Sequence, residues 1–141
     1  MPTRKANAIW KGDLKTGQGT MKMESGSYEG AYSFGSRFKN EKGTNPEELI
    51  GAAHAGCFSM ALSLELSEAG YTPESIDTEA KVSFEVEDGG PTITGVKLLT
   101  KASVPSIEND EFQKFAEGAK NGCPVSKALK GTDITLEATL L

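Results

Sequence analysis

Residues 45–60 read NPEELIGAAHAGCFSM, a helix start followed by an apolar stretch built around a cysteine. Asn45 can cap the first free N–H groups, and Pro46 has the preset φ of a first helical position. Glu47 and Glu48 favour the positive end of the helix dipole. Beyond them, Leu49, Ile50, Ala52, Ala53, Ala55, Cys57, Phe58, Met60, Ala61, Leu62 and Leu64 leave no broad polar face. A helix of that kind in a water-soluble protein is expected to be buried all round. Its thiol is then either inert filling or the reactive atom of a concealed site.

Before this helix, Ala6, Ala8 and Trp10 alternate with Lys5, Asn7 and Lys11, which predicts a strand. Gly12-Asp13 is a turn signal, residues 19–23 read as a second strand, and residues 32–38 as a weaker third with Gly35 at a bend. The helix runs from Pro46 to about Ala69, with Gly70 suited to the position after its end. Alternation then predicts strands over 79–87 and 92–104, joined through Gly89-Gly90 as a hairpin. A second helix fits 105–121, a short third begins at Pro124 with Cys123 as its cap, and residues 134–140 form a last strand. Strands, a long helix, strands, helices and a strand describe an α+β protein with largely antiparallel sheet.

The chain has 141 residues, which fits one domain with a substantial core. A net charge of −5 and the lack of a basic stripe argue against nucleic acid as a partner. No charge-free run reaches the length of a membrane span, and the N-terminal apolar run is too short for a secretory signal. The expected location is the cytoplasm. There, Cys57 and Cys123 are not expected to form a structural disulfide, and too few Cys and His ligands exist for a zinc site.

Two buried thiols that only pack are one reading, since free cysteine is among the most buried residue types. Chemistry is the other. Cys123 at a helix cap would have its thiolate stabilised by backbone N–H groups, whereas Cys57 in mid-helix needs a cation from elsewhere in the fold. Local logic therefore favours Cys123 as the attacking thiol. His54, three residues before Cys57, could share its face and make a Cys–His pair of the kind used in acyl transfer. Arg37 and Glu47 read locally as a strand-end arginine and a helix-start acid.

The segment SRFKNEKGTNPEELIGAAHAGCFSMALS, followed later by NGCPVSKAL, closely resembles the OsmC branch of the OsmC/Ohr family of thiol peroxidases. The start Trp10-Lys11-Gly12-Asp13 and the ending strand are similar too, so the likeness spans residues 1–141 as one domain. It implies an OsmC-like fold, with sheets wrapped around long central helices in an intertwined homodimer. The implied activity is reduction of organic hydroperoxides to alcohols without metal, haem or flavin. Cys57 matches the peroxidatic cysteine and Cys123 the resolving one. Arg37 matches the arginine that stabilises the thiolate, and Glu47 its acidic partner. His54 receives no role from the resemblance. A dithiol, which the family places on lipoylated carrier proteins, would reduce the Cys57–Cys123 disulfide. Phe38, Phe58 and Met60 are expected in an apolar lining suited to alkyl peroxides.

Two rival readings differ in kind. One is a Cys–His hydrolase or acyltransferase using Cys57 and His54; the other is a noncatalytic stress-related binding protein with inert thiols. A further expectation concerns assembly. Glu47 and Cys57 lie ten residues apart on the helix, about 15 Å of rise and roughly 80° of rotation. A single Arg37 hardly spans both, so two chains are expected to build each site.

Overall fold

The computed structural model describes residues 2–141, and the chain falls into two compact units that divide between Leu49 and Ile50. The first holds an antiparallel meander of β1 (Ala6–Lys11), β2 (Gln18–Met23) and β3 (Glu29–Tyr32), in that order. Pairing of Ala8 with Met21 and of Ala6 with Met23 gathers the small and apolar side chains on one face, as the alternation predicts. Trp10 and Tyr32 flank Gly19 in register, and their ring centroids lie 5.3 Å apart. A Cβ at Gly19 would press into both rings.

The expected third strand over 32–38 is not formed. β3 stops at Tyr32, and α1 (Phe34–Phe38) takes the remainder as a short helix. The reason is a capping box: the Ser36 N–H donates to Ser33 Oγ at 3.1 Å, and the Ser33 N–H donates to Ser36 Oγ at 2.9 Å. Ser36 also donates its hydroxyl to the Thr44 carbonyl at 2.7 Å, and the Asn45 amide donates to the Ser36 carbonyl at 3.1 Å. These bonds favour the helical turn over further pairing with β2. Arg37 is thereby a helix residue and not a strand end.

α2 (Pro46–Glu68) starts as the sequence predicts, with the Glu48 N–H donating to Asn45 Oδ1 at 2.8 Å. It ends where Gly70, at φ +92°, lets the Tyr71 N–H reach the Leu66 carbonyl at 2.9 Å. In the second unit α2 packs with a sheet of order β4-β5-β6: β4 (Ser75–Glu87), β5 (Gly90–Ser103) and β6 (Asp133–Leu140). Val96, Leu98 and Ala102 from β5, Phe58, Leu62 and Leu66 from α2, and Phe112, Ala116 and Ala119 from α3 (Asn109–Gly122) form one core. The sheet's other face carries charge, with Lys97 and Glu137 paired at 3.4 Å.

β4 begins four residues earlier than the reading from 79, because Ile76 and Thr78 continue the inward face opposite Ala102 and Thr100. α3 begins later than Pro105, since Ser106 at φ 73° cannot continue a right-handed helix. β6 pairs with β5 in parallel, whereas the β1–β2, β2–β3 and β4–β5 pairings are antiparallel. A parallel neighbour requires a crossover, and α3 with α4 (Pro124–Ala128) supplies it.

The burial expected all round α2 is not achieved within one chain. Phe58, Leu62 and Leu66 are fully buried, but Ala52, Ala53, Gly56, Met60 and Leu64 are exposed, Met60 by 77%. Length and composition alone would let α2 cross a membrane, contrary to the sequence expectation. Its inner face packs on a sheet whose reverse side is charged.

Candidate active site

In the second unit, the α2 helix presents Cys57, and the break between α3 and α4 presents Cys123. The Cys123 N–H closes α3 on the Ala119 carbonyl at 3.0 Å, and Pro124 then opens α4. Cys123 is the α4 cap predicted from sequence, with its Sγ accepting from the Ser126 N–H at 3.4 Å. The Cys57 and Cys123 sulfurs lie 2.9 Å apart and share a hydrogen bond. Both are free thiols, Cys123 fully buried and Cys57 half-buried. Closing a disulfide of about 2.05 Å from there needs only a small side-chain movement.

The two thiols differ in acidity. Burial pushes Cys57 above the ordinary 9.0, and hydrogen bonding with Cys123 adds to this, against a hydrogen bond from the Val125 N–H. Burial also opposes a Cys123 thiolate. There, however, hydrogen bonds from Cys57, from the Ser126 N–H and hydroxyl, and from the Val125 N–H outweigh it and bring the thiol below its ordinary value. Of the two thiols, Cys123 is thus the one whose pKa is lowered and Cys57 the one whose pKa is raised.

His54 lies fully buried on α2, with Nε2 2.7 Å from Ser126 Oγ. Its ring is thus engaged with α4. Ser126 is the site residue that sequence reasoning passed over, although it stands within the quoted GCPVS segment. The signal was weak, because a serine at the third helical position beside a cap is commonplace.

In the first unit, Arg37 and Glu47 form a closely fitted ion pair. Nη2 donates to Glu47 Oε1 at 2.6 Å, and Nε lies 3.1 and 3.3 Å from Oε1 and Oε2. Glu47 is buried, and the Arg37 guanidinium also lies 5.5 Å from the Phe38 ring centre. Beside Arg37 is an open pocket of about 210 Å³, lined by Trp10, Leu14, Tyr32, Phe34 and Phe38. Phe38 lines this pocket, whereas Phe58 lies in the core and Met60 on the exposed face of α2.

Two adjacent free thiols on an α+β scaffold define this chain as a paired-cysteine protein. Residues 39–137 match the family of OsmC-like proteins. The chain is 54% identical over 138 residues to the peroxiredoxin OsmC of Escherichia coli, covering 97% of this chain and 96% of that protein. It is 34% identical over 99 residues to the organic hydroperoxide resistance protein-like 2 of Staphylococcus epidermidis, covering 68% of each. The crystal structure of the organic hydroperoxide resistance protein OhrB from Bacillus subtilis superposes with a TM-score of 0.73 at 25% identity, over 97% of this chain and 98% of that one. The chain belongs to the OsmC family.

Proposed function

We propose that this protein is a cysteine-based peroxidase that reduces organic hydroperoxides to alcohols, with both units serving one catalytic domain. The observation that carries the reading is the pair of free thiols at 2.9 Å in a chain of this family. The Cys57 thiolate attacks the O–O bond, the alkoxide leaves and takes a proton as the alcohol, and Cys57 becomes a sulfenic acid. Cys123 then displaces hydroxide from that sulfur to form a disulfide. An external dithiol, such as a lipoyl group on a carrier protein, returns both thiols.

Arg37, held by Glu47, is the cation that offsets the cost of burying the Cys57 thiolate. The apolar pocket beside Arg37 suits an alkyl or lipid substituent on the peroxide. We assign the site to two chains of a homodimer. α2 sets Glu47 and Cys57 about 15 Å apart along its own axis. Its uncovered stripe of Ala52, Ala53, Gly56, Met60 and Leu64 offers small and apolar side chains for a second helix. Antiparallel packing of two α2 helices would cover that stripe and bring Arg37 and Glu47 of one chain beside Cys57 and Cys123 of the other.

Anaerobic consumption of cumene hydroperoxide with dihydrolipoamide as donor tests the activity. Steady turnover that fails in Cys123→Ser supports the two-thiol cycle; undiminished turnover in that variant would favour a one-thiol mechanism.

A further inference from the structure

The cycle above leaves His54 without a task, although it is fully buried beside the thiols. Its Nε2 meets Ser126 Oγ at 2.7 Å, while its buried Nδ1 has no hydrogen-bond partner among the described residues. The two neutral tautomers differ in what they strand. A proton on Nδ1 would bury an N–H donor with nothing to accept it, whereas a proton on Nε2 strands only a lone pair, the less costly orphan. The Nε2–H tautomer therefore donates to Ser126 Oγ. With that lone pair occupied by His54, the Ser126 hydroxyl keeps its own hydrogen for another acceptor. Cys123 is the acceptor at hand, because the Ser126 N–H bonds its sulfur at 3.4 Å and brings the hydroxyl of the same residue beside it. The opposite tautomer would draw the hydroxyl hydrogen to the imidazole and away from the sulfur.

We infer that His54 is a positioning residue that acts through Ser126, aiming the serine hydroxyl at the sulfur of the resolving Cys123. The inference rests on the peroxidase reading and assigns the device to its second half. Cys123–S⁻ attacks the sulfur of Cys57–S–OH, the S–O bond breaks, and hydroxide leaves and is protonated to water. Cys123 is oxidised and the sulfenic sulfur reduced as the disulfide forms, the organic hydroperoxide being the original oxidant. When the external dithiol reopens the bond at Cys57, the same hydroxyl stabilises Cys123 as the leaving thiolate. The groups that set the Cys123 acidity are Cys57 from α2 and the Val125 N–H, Ser126 N–H and Ser126 hydroxyl from α4. Lys120, Lys127 and Lys130 line a small pocket that also includes Ser126. They are common to all the variants below, so differences among those variants report the His54–Ser126 link.

The test has two arms. In a Cys57→Ser background, thiolate absorbance against pH gives the Cys123 pKa without any peroxide chemistry. Ser126→Ala and His54→Leu should each raise it by about one pH unit, the loss of one hydrogen bond to a charged sulfur. The double variant should rise no further than Ser126→Ala alone. His54→Gln, whose amide can donate at the Nε2 position, should restore most of the original value. In the native-cysteine background, after one equivalent of cumene hydroperoxide, closure of the sulfenic acid to the disulfide should be about tenfold slower in Ser126→Ala. An unchanged Cys123 pKa in Ser126→Ala, or additive shifts in the double variant, would overturn the inference. Peroxide left unconsumed by the unmodified protein, with both thiols still free, would instead overturn the peroxidase reading, and the first arm would still decide the role of His54.

Discussion

At the scale of single residues, the account turns on which groups hold each sulfur as a thiolate. Burial works against Cys57, so Arg37 is the group whose loss should be felt there. Arg37→Met should raise the Cys57 pKa by about one to three pH units and slow peroxide attack at neutral pH, with folding retained. The pH profile of thiol alkylation measures this, and an unaltered profile would assign the activation to another group. His54 makes a separate prediction about stability. Burial holds it below its ordinary 6.5, so the unfolded chain takes up a proton there before the folded one does. Stability present above about pH 6.5 is therefore lost as the pH falls through that value toward the folded pKa. Urea titrations should show this loss, and in His54→Gln it should flatten below about pH 6.5. The thiols and their spacing in the chain were legible in the sequence, as were Arg37 and Glu47 through the family likeness. The His54–Ser126 contact was not, because it joins residues far apart in the chain whose meeting depends on how α4 seats against α2.

At the scale of elements, α2 has two faces with different fates. Leu62 is fully buried in the core of the second unit, and Leu62→Ala should cost about 2–5 kcal/mol in chemical denaturation. Leu64 is 59% exposed, so Leu64→Ala should leave the fold of the chain nearly unchanged and weaken association instead. Met60→Glu should go further and yield folded monomers by light scattering, because a carboxylate cannot be buried unpaired in a helix interface. Persistent dimers in that variant would move the interface elsewhere. The start of α2 at Asn45-Pro46, its end at Gly70 and the outward-inward alternation of β4, β5 and β6 were all readable from local chemistry. α1 was misread as strand, because the alternating Tyr32, Phe34 and Phe38 outweighed a Ser33–Ser36 capping box that has no acidic member. The parallel seating of β6 was also hidden, since alternation fixes which face a strand buries and not its direction relative to a neighbour.

At the scale of the whole molecule, the proposal is a two-chain site, and subunit exchange addresses it. Cys57→Ser and Arg37→Met homodimers should each be nearly inactive. Unfolded, mixed and refolded together, they should regain part of the activity, because one site of the mixed dimer recovers all its members while the other loses both. No recovery in proven heterodimers would place Arg37 and Cys57 on the same chain. Beneath the assembly question lies the claim that the protein reduces peroxide with its two thiols. Titration of free thiols before and after one equivalent of cumene hydroperoxide, with peptide mapping of the product, tests that claim most directly. The account predicts loss of both thiols and a Cys57–Cys123 disulfide within each chain. Both thiols remaining free, with the peroxide unconsumed, would contradict it.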